Sequence, residues 1–316
     1  MEKLKTIYQC EGFGDYYKSV LNGGKYVDPD CIDDINTPYY NFLTEFLKKR
    51  ESESCYENKF SFVPPKNAKL TTDDEKNLKD NDEYKIVVKQ DDEELFRLTS
   101  DQFGFSGNEG IYRQTYGHLK YPLARINYLS KNESIDERNR ILNKLINYVK
   151  NTRTLGSSFI WPTPKKSEGT RKSTYNMNRG VGSYLEDRVD LTLCEIKEFY
   201  KCYAEALNKE ELIDKMKSNI LLKSADSNDI INWLSHFETF ENYVNFFSFE
   251  SFVEMGENNK YEVCNLLTGE KIESDKINRL KDATAEDIEQ VLKNLQKWTK
   301  LRNQIMLKKI KKQIFG

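Results

Sequence analysis

Histidine and paired cysteine are what this 316-residue chain has least of. Two histidines, His118 and His236, are too few for a His-rich zinc or di-iron centre. The six cysteines (Cys10, Cys31, Cys55, Cys194, Cys202, Cys264) include no C-x-x-C pair, so no disulfide framework is expected and the thiols read as reduced. No G-x-x-x-x-G-K-[ST], G-x-S-x-G or H-E-x-x-H motif occurs, which removes P-loop NTP hydrolysis, esterase chemistry of the nucleophile-elbow type and zinc proteolysis. No run approaches the roughly eighteen apolar residues of a membrane span. Met1-Glu-Lys-Leu-Lys opens no apolar leader, so the expected address is cytoplasmic.

What is present fits a globular chain: 38% hydrophobic, 12% aromatic and 32% charged residues, too rich in Tyr and Phe for wholesale disorder. The expected fold is α+β and predominantly helical, with small β-strand and hairpin elements flanking a helical core. Residues 1–316 read as a single integrated domain, with an acidic surface loop near 71–83 and a basic loop near 163–173. The net charge of −2 predicts no partner by itself, but charge is unevenly placed. Residues 71–95 hold ten acids and four lysines, and repel polyanions. Residues 150–180 reverse the sign, with seven cations against Glu168, among them Lys165, Lys166, Arg171 and Lys172. A third block, 297–312, carries Lys297, Lys300, Arg302, Lys308, Lys309, Lys311 and Lys312 without an acid. Two basic blocks on one face would suit a phosphate backbone; the plainer alternative is a solvated loop and a helix whose cations complement its dipole.

Periodicity and capping residues place the elements. Thr37 as N-cap and Pro38 at the first helical position start a helix with the stripe Tyr39, Phe42, Leu43, Phe46, Leu47, ending near Arg50. Residues 84–89 and 95–98 alternate as strands around an acidic turn at 91–94. Ser134 and Glu137 have capping-box spacing ahead of a helix over about 135–150. Residues 155–161 read as a buried strand closed by Pro162. Thr192 and Glu195 form a second capping box, followed by Ile196, Phe199, Tyr200 and Tyr203. Trp233, Phe237, Phe240, Val244 and Phe247 share one face if their helix is continuous, and such a stripe reads as core. Residues 261–267 with the Thr268-Gly269 turn read as a late strand or hairpin. Thr284 opens a final helix with Ile288, Val291, Leu295, Trp298, Leu301 and Ile305 expected inward.

The stretch L-G-S-S-F-I-W-P (155–162), followed by N-M-N-R-G-V-G-S-Y-L-E-D-R-V-D-L-T-L-C-E-I-K-E-F-Y (176–200), resembles a family of bacterial proteins of unknown function. That family has an Asn/Arg-Gly turn before an Asp-Arg-x-Asp-Leu-Thr-Leu helix start. F-E-T-F-E-N-Y-V-N-F-F (237–247), D-P-D (28–30) and F-R-L-T-S-D (96–101) are similar to it as well. The resemblance spans most of the chain, implies one integrated domain and carries no activity across. The segments near 71–83 and 165–172 look like departures from it.

Within that stretch, Asn178, Arg179, Gly180 and Gly182 form a polar turn whose backbone N–H groups could cradle an anion, with Arg188 beside it. Asp187 and Asp190 are candidate catalytic carboxylates that could position a water or a Mg²⁺ ion, the cofactor otherwise remaining unknown. The alternative is an ion-pair network around Arg188, with Asp190 at a helix start. Arg113 and His118 resemble the Arg-x₄₋₆-His signature of a helical ribonuclease superfamily, which implies acid–base chemistry at the histidine and phosphate stabilisation at the arginine. The alternative there, as for His236, is a structural histidine. Three functions follow as expectations. The first is a nucleic-acid- or nucleotide-directed bacterial effector of host-defence or toxin type, as in phage defence. The second is a non-catalytic protein-binding scaffold. The third is a small-molecule or nucleotide-binding enzyme.

Overall fold

The computed structural model describes residues 38–64, 86–102, 155–163, 189–217, 227–272 and 285–314, with residues 136, 140 and 144 as helical positions. The first helix, α1 (Pro38–Glu53), starts with proline at its first position, where a missing N–H costs nothing. Leu43, Phe46 and Leu47 are fully buried on its inner face, as their spacing predicts.

A four-stranded antiparallel sheet follows, in the order β1 (Ser61–Val63), β2 (Ile86–Gln90), β3 (Glu93–Gln102), β4 (Ser158–Thr163). The acidic turn is tighter than the sequence suggests. Asp91 and Asp92 alone make it, at φ 49° and 66°, while Glu93 and Glu94 pair with Gln90 and Lys89. Two positive-φ residues match the twist of the flanking strands, and aspartate tolerates that region better than most side chains. The segment 155–161 divides: Leu155–Ser157 is a 3₁₀ turn and the strand runs on through Pro162 to Thr163. Pro162 is accommodated because β4 has a partner strand on one side only in the described sheet.

The helix α2 (Val189–Glu205) starts three residues before Thr192, so Thr192 and Glu195 lie inside it and do not cap it. A short α3 (Lys209–Lys215) is capped by Asn208, whose side chain accepts the Glu211 N–H. The aromatic stripe lies on two helices, α4 (Ser227–Ser235) and α5 (Phe240–Phe247). The break comes at Glu238, at φ 63°, and Thr239 caps the new helix through the Asn242 N–H. Trp233, Phe237, Phe240, Val244 and Phe247 are nonetheless all buried. Trp233 lies parallel to Phe60 at 6.3 Å and meets Phe96 edge-on at 5.8 Å, which seats α4 on the sheet.

A two-stranded ribbon pairs β5 (Val253–Met255) with β6 (Tyr261–Val263), so the expected late strand is shorter than 261–267 and its partner precedes it; beyond the Gly269 turn, at φ 80°, an isolated bridge joins Cys264 to Lys271. The last helix, α6 (Ala285–Ile314), has 30 residues and spans about 45 Å. Val291, Leu295 and Trp298 face inward as expected, but the buried positions that follow are Thr299 and Arg302 and not Leu301, which is 42% exposed. From Trp298 a step of four reaches Arg302 and a further four Met306; a step of three to Leu301 points out. Arg140 and Lys144 both pair with Glu289, tying the helix expected over 135–150 to the start of α6. The buried side chains of α1, the sheet, α2, α4, α5 and α6 form one contiguous cluster. No helix among the described residues is long and apolar enough to cross a membrane.

Candidate functional site

The third basic block is divided by the helix that carries it. Three cations, one from α1 and two from α6, converge on the C-terminal end of α5, where backbone carbonyls lack intrahelical donors and the helix dipole is negative. Arg50 of α1 donates to the Asn245 and Phe246 carbonyls at 2.9 and 3.1 Å. Arg302, fully buried, donates from Nε to the Phe247 carbonyl at 3.0 Å. Its Nη1 reaches the carbonyls of Gly156 at 2.9 Å and Ser158 at 2.7 Å. Lys309 donates to Ser248 Oγ at 2.8 Å and pairs with Glu250 at 3.3 Å. Burial lowers the Lys309 pKa below its usual value, with Glu250 pulling the other way. Arg302 and Lys309 thus serve packing and capping.

The remaining cations point outward. Lys293, Lys297, Lys300 and Lys308 are exposed, together with Gln296 and Gln304. At about 100° per residue these four lysines and Gln304 fall within an arc of roughly 80°, opposite Arg302, and at 1.5 Å per residue Lys293 and Lys308 are about 22 Å apart. No acid occurs in α6 after Glu289. The result is a narrow basic ridge bordered by glutamines. Lys293 lies outside the block recognised from sequence; its signal was the spacing of four to Lys297. Lys311 and Lys312 lie in the last turn of α6, with side chains outside the described set.

Among the other sequence-derived candidates, Asp190 sits in the first turn of α2 and is fully buried. Its carboxylate accepts the Leu266 N–H at 2.9 Å, linking α2 to the hairpin loop. Asp187, Arg113, His118, Asn178, Arg179, Gly180, Arg188, Lys165, Lys166, Arg171 and Lys172 lie outside the described residues. Among the described residues no group of three His, Cys, Asp or Glu side chains is placed to hold a metal ion. Cys55, Cys194, Cys202 and Cys264 are free thiols; burial raises the last two, Cys264 to about 11.

His236 joins a buried cluster that sequence alone did not reveal. Its Nε2 lies 3.0 and 3.1 Å from the two carboxylate oxygens of Glu51, and both side chains are about 5% exposed or less. Glu51 also accepts the Phe60 N–H at 2.9 Å, and the Phe60 ring stacks on the imidazole at 3.7 Å. Tyr56 packs against the same imidazole; burial, then the Glu51 charge, pushes its hydroxyl pKa well up. This arrangement joins α1 to the end of α4.

The comparisons with known proteins give one family. A model described as a family of unknown function (DUF6994) matches residues 66–306, a span that takes in the sheet from β2 onward and most of α6. No curated protein and no solved structure matches the chain.

Proposed function

From the premise that the chain belongs to that family of unknown function, we propose that it is a nucleic-acid-directed protein that holds a phosphate backbone along the outer ridge of α6. The observation that carries this reading is the sorting of one basic block into two faces. Arg302 and Lys309 are consumed inside the fold, yet Lys293, Lys297, Lys300 and Lys308 are left aligned and exposed. Lysine is a compact point charge on a flexible stem, suited to contacting phosphates without reading bases. A strand of duplex DNA presents one phosphate per 3.4 Å of axis, so a ridge of about 22 Å faces about six of them. The reading therefore specifies backbone binding with little sequence preference.

The wider reading, a bacterial effector of host-defence type acting on phosphodiesters or nucleotides, adds catalysis to this binding. It would draw on Asp187, with Arg179 and Arg188 for phosphate charge and Mg²⁺ as the ion such a carboxylate could position, while the buried Asp190 holds the start of α2 to the Leu266 N–H. Fluorescence anisotropy with labelled single-stranded RNA, single-stranded DNA and duplex DNA, across a salt series, tests the binding. Salt-sensitive binding lost on charge reversal at Lys297 and Lys300 supports the reading; absence of binding, or binding indifferent to those changes, overturns it. Incubating the same substrates with Mg²⁺ tests cleavage separately.

A further inference from the structure

Lysines on the outer faces of α1 and α2 are matched by carboxylates. Lys48 pairs with Glu45 at 2.9 Å, Lys49 with Glu53 at 3.2 Å and Lys201 with Glu198 at 3.3 Å, while Lys197 reaches Glu262 of β6. The outward lysines of α6 are treated differently. Lys293, Lys297, Lys300 and Lys308 have no ion-pair partner among the described residues, and the last acid of the helix, Glu289, is already held by Arg140 and Lys144. Lys293 and Lys297, four residues apart, and Lys297 and Lys300, three apart, therefore repel one another, a cost that a polyanion from outside would reverse.

Two properties of α6 decide which form of polyanion fits. The first is that its middle is fixed to the fold: Arg302 holds three carbonyls of other segments, Asn303 Oδ1 accepts the Gly156 N–H at 3.1 Å, and Ser251 Oγ donates to the Trp298 carbonyl at 2.9 Å. The lysines are thus rooted on a fixed axis over about 22 Å. A nucleic-acid duplex is straight over that length, its persistence length being about 50 nm, whereas a single strand has to be straightened at a cost in conformational entropy. The second property is chemical. Single strands recover that cost by stacking bases on aromatic side chains. Between Lys293 and Lys308 the exposed positions other than lysine are Gln296, Leu301 and Gln304. The one aromatic residue of α6, Trp298, is buried edge-on against Phe252 at 5.5 Å, so this helix has no ring on which a base can lie. A duplex keeps its bases stacked on each other and offers one phosphate charge per 1.7 Å of axis, twice the density of either strand.

We infer, on the reading of α6 as a phosphate-binding ridge, that its target is a double-stranded nucleic acid held through its phosphates, and that the separated strands bind at least tenfold more weakly. DNA and RNA duplexes share this chemistry.

Competition titrations of the full chain decide this, with duplex DNA, duplex RNA and their separated strands, all of one mixed sequence free of self-pairing. The expected result is that at least one duplex binds tenfold or more tighter than its own strands, and the tighter duplex identifies the source. For duplex DNA, four lysine contacts give a slope of log affinity against log salt of about −3.6. Lys297→Glu combined with Lys300→Glu should abolish the preference for the duplex; both positions are exposed, and an unchanged thermal melt certifies the fold. Strands that bind as tightly as the duplexes, with binding still lost in the double variant, would overturn the double-stranded assignment and leave the ridge standing. A preference for duplex that survives in the double variant would overturn it as well, since it would then arise away from α6. Absence of binding to all four nucleic acids would remove the ridge itself, an outcome distinct from the other two.

Discussion

The guanidinium carbon of Arg302 lies 3.8 Å from the centroid of the Phe249 ring, while its nitrogens hold carbonyls of the 155–163 segment and of α5. One side chain thus joins the final helix, the edge strand and the aromatic helix by stacking and hydrogen bonding together. A planar fork with several fixed donors suits this position, and an ammonium does not.

Arg302→Ala therefore leaves three buried carbonyls short of a donor and opens a cavity, and it should cost about 3–5 kcal/mol. Arg302→Lys should recover only a minor part, because lysine cannot address two directions at once. Urea denaturation of both variants checks this, and near-complete rescue by lysine would refute it.

Gly156 has no room for a methyl group. A Cβ there would stand 2.4 Å from the Thr299 carbonyl oxygen and 2.5 Å from the Asn303 nitrogen, both backbone atoms of α6. Gly156→Ala should force the 3₁₀ turn and α6 apart, losing the bond from Gly156 N–H to Asn303 Oδ1, for a cost of about 1–3 kcal/mol or more. A wild-type melting temperature for this variant would show the two segments to be further apart than described.

Lys308 and Lys309 are neighbours in sequence with opposite roles. Lys308→Glu should leave the melting temperature unchanged and lower nucleic-acid affinity, reducing the salt slope by about one. Lys309→Glu should instead lower the melting temperature, since it sets a carboxylate against Glu250 and the end of α5. Parallel melts and anisotropy titrations would exchange these outcomes if the helix were rotated by one position.

Glu51 and His236 should be strongly coupled. Each single change to alanine removes a partner from a buried pair, so the double variant should be more stable than the summed losses imply, by about 1–3 kcal/mol. A coupling near zero in the thermodynamic cycle would mean that the Phe60 and Tyr56 packing holds the imidazole by itself.

Alkaline pH should unfold the protein steeply. Burial raises the hydroxyl pKa of Tyr200 and Tyr243 above the ordinary value of 10, so the folded state keeps protons that the unfolded chain releases. Their stabilising contribution is present in full below pH 10 and falls as pH rises towards the folded pKa, by about 1.4 kcal/mol per pH unit for each. Tyrosinate absorbance should then rise together with loss of ellipticity. Tyrosine titration completed before any unfolding would contradict this burial.

Much of the fold was legible because its signals are local. Pro38 marked α1, the alternation around Asp91 marked the hairpin, and helical spacing placed Val291, Leu295 and Trp298 in the core. The errors arose where a tertiary partner decided. Nothing in the sequence around Thr239 separates a cap from a mid-helix threonine until Glu238 is seen in the left-handed region. A count of the cations in 297–312 cannot reveal that Arg302 and Lys309 turn inward, because their acceptors lie in α5 and the 155–158 turn, about 60 to 150 residues away in sequence. The Glu51 and His236 pair was hidden for the same reason, its partners being 185 positions apart. The ridge on α6, by contrast, needed only a helical wheel, once the helix was known to be continuous.

The separation between the Arg302 guanidinium and its acceptors also bears on synthesis. Arg302 follows Phe247 by 55 positions, which a ribosome adding about 5–20 residues per second takes roughly 3–11 s to cover. Throughout that interval the carbonyls of Gly156, Ser158 and Phe247 exist without the group that later joins them. The aromatic surface around Phe249 is then bare as well. A nascent chain paused after α5 is therefore the form most in need of a holding chaperone, and slow codons between β6 and α6 would lengthen that need without altering the finished molecule.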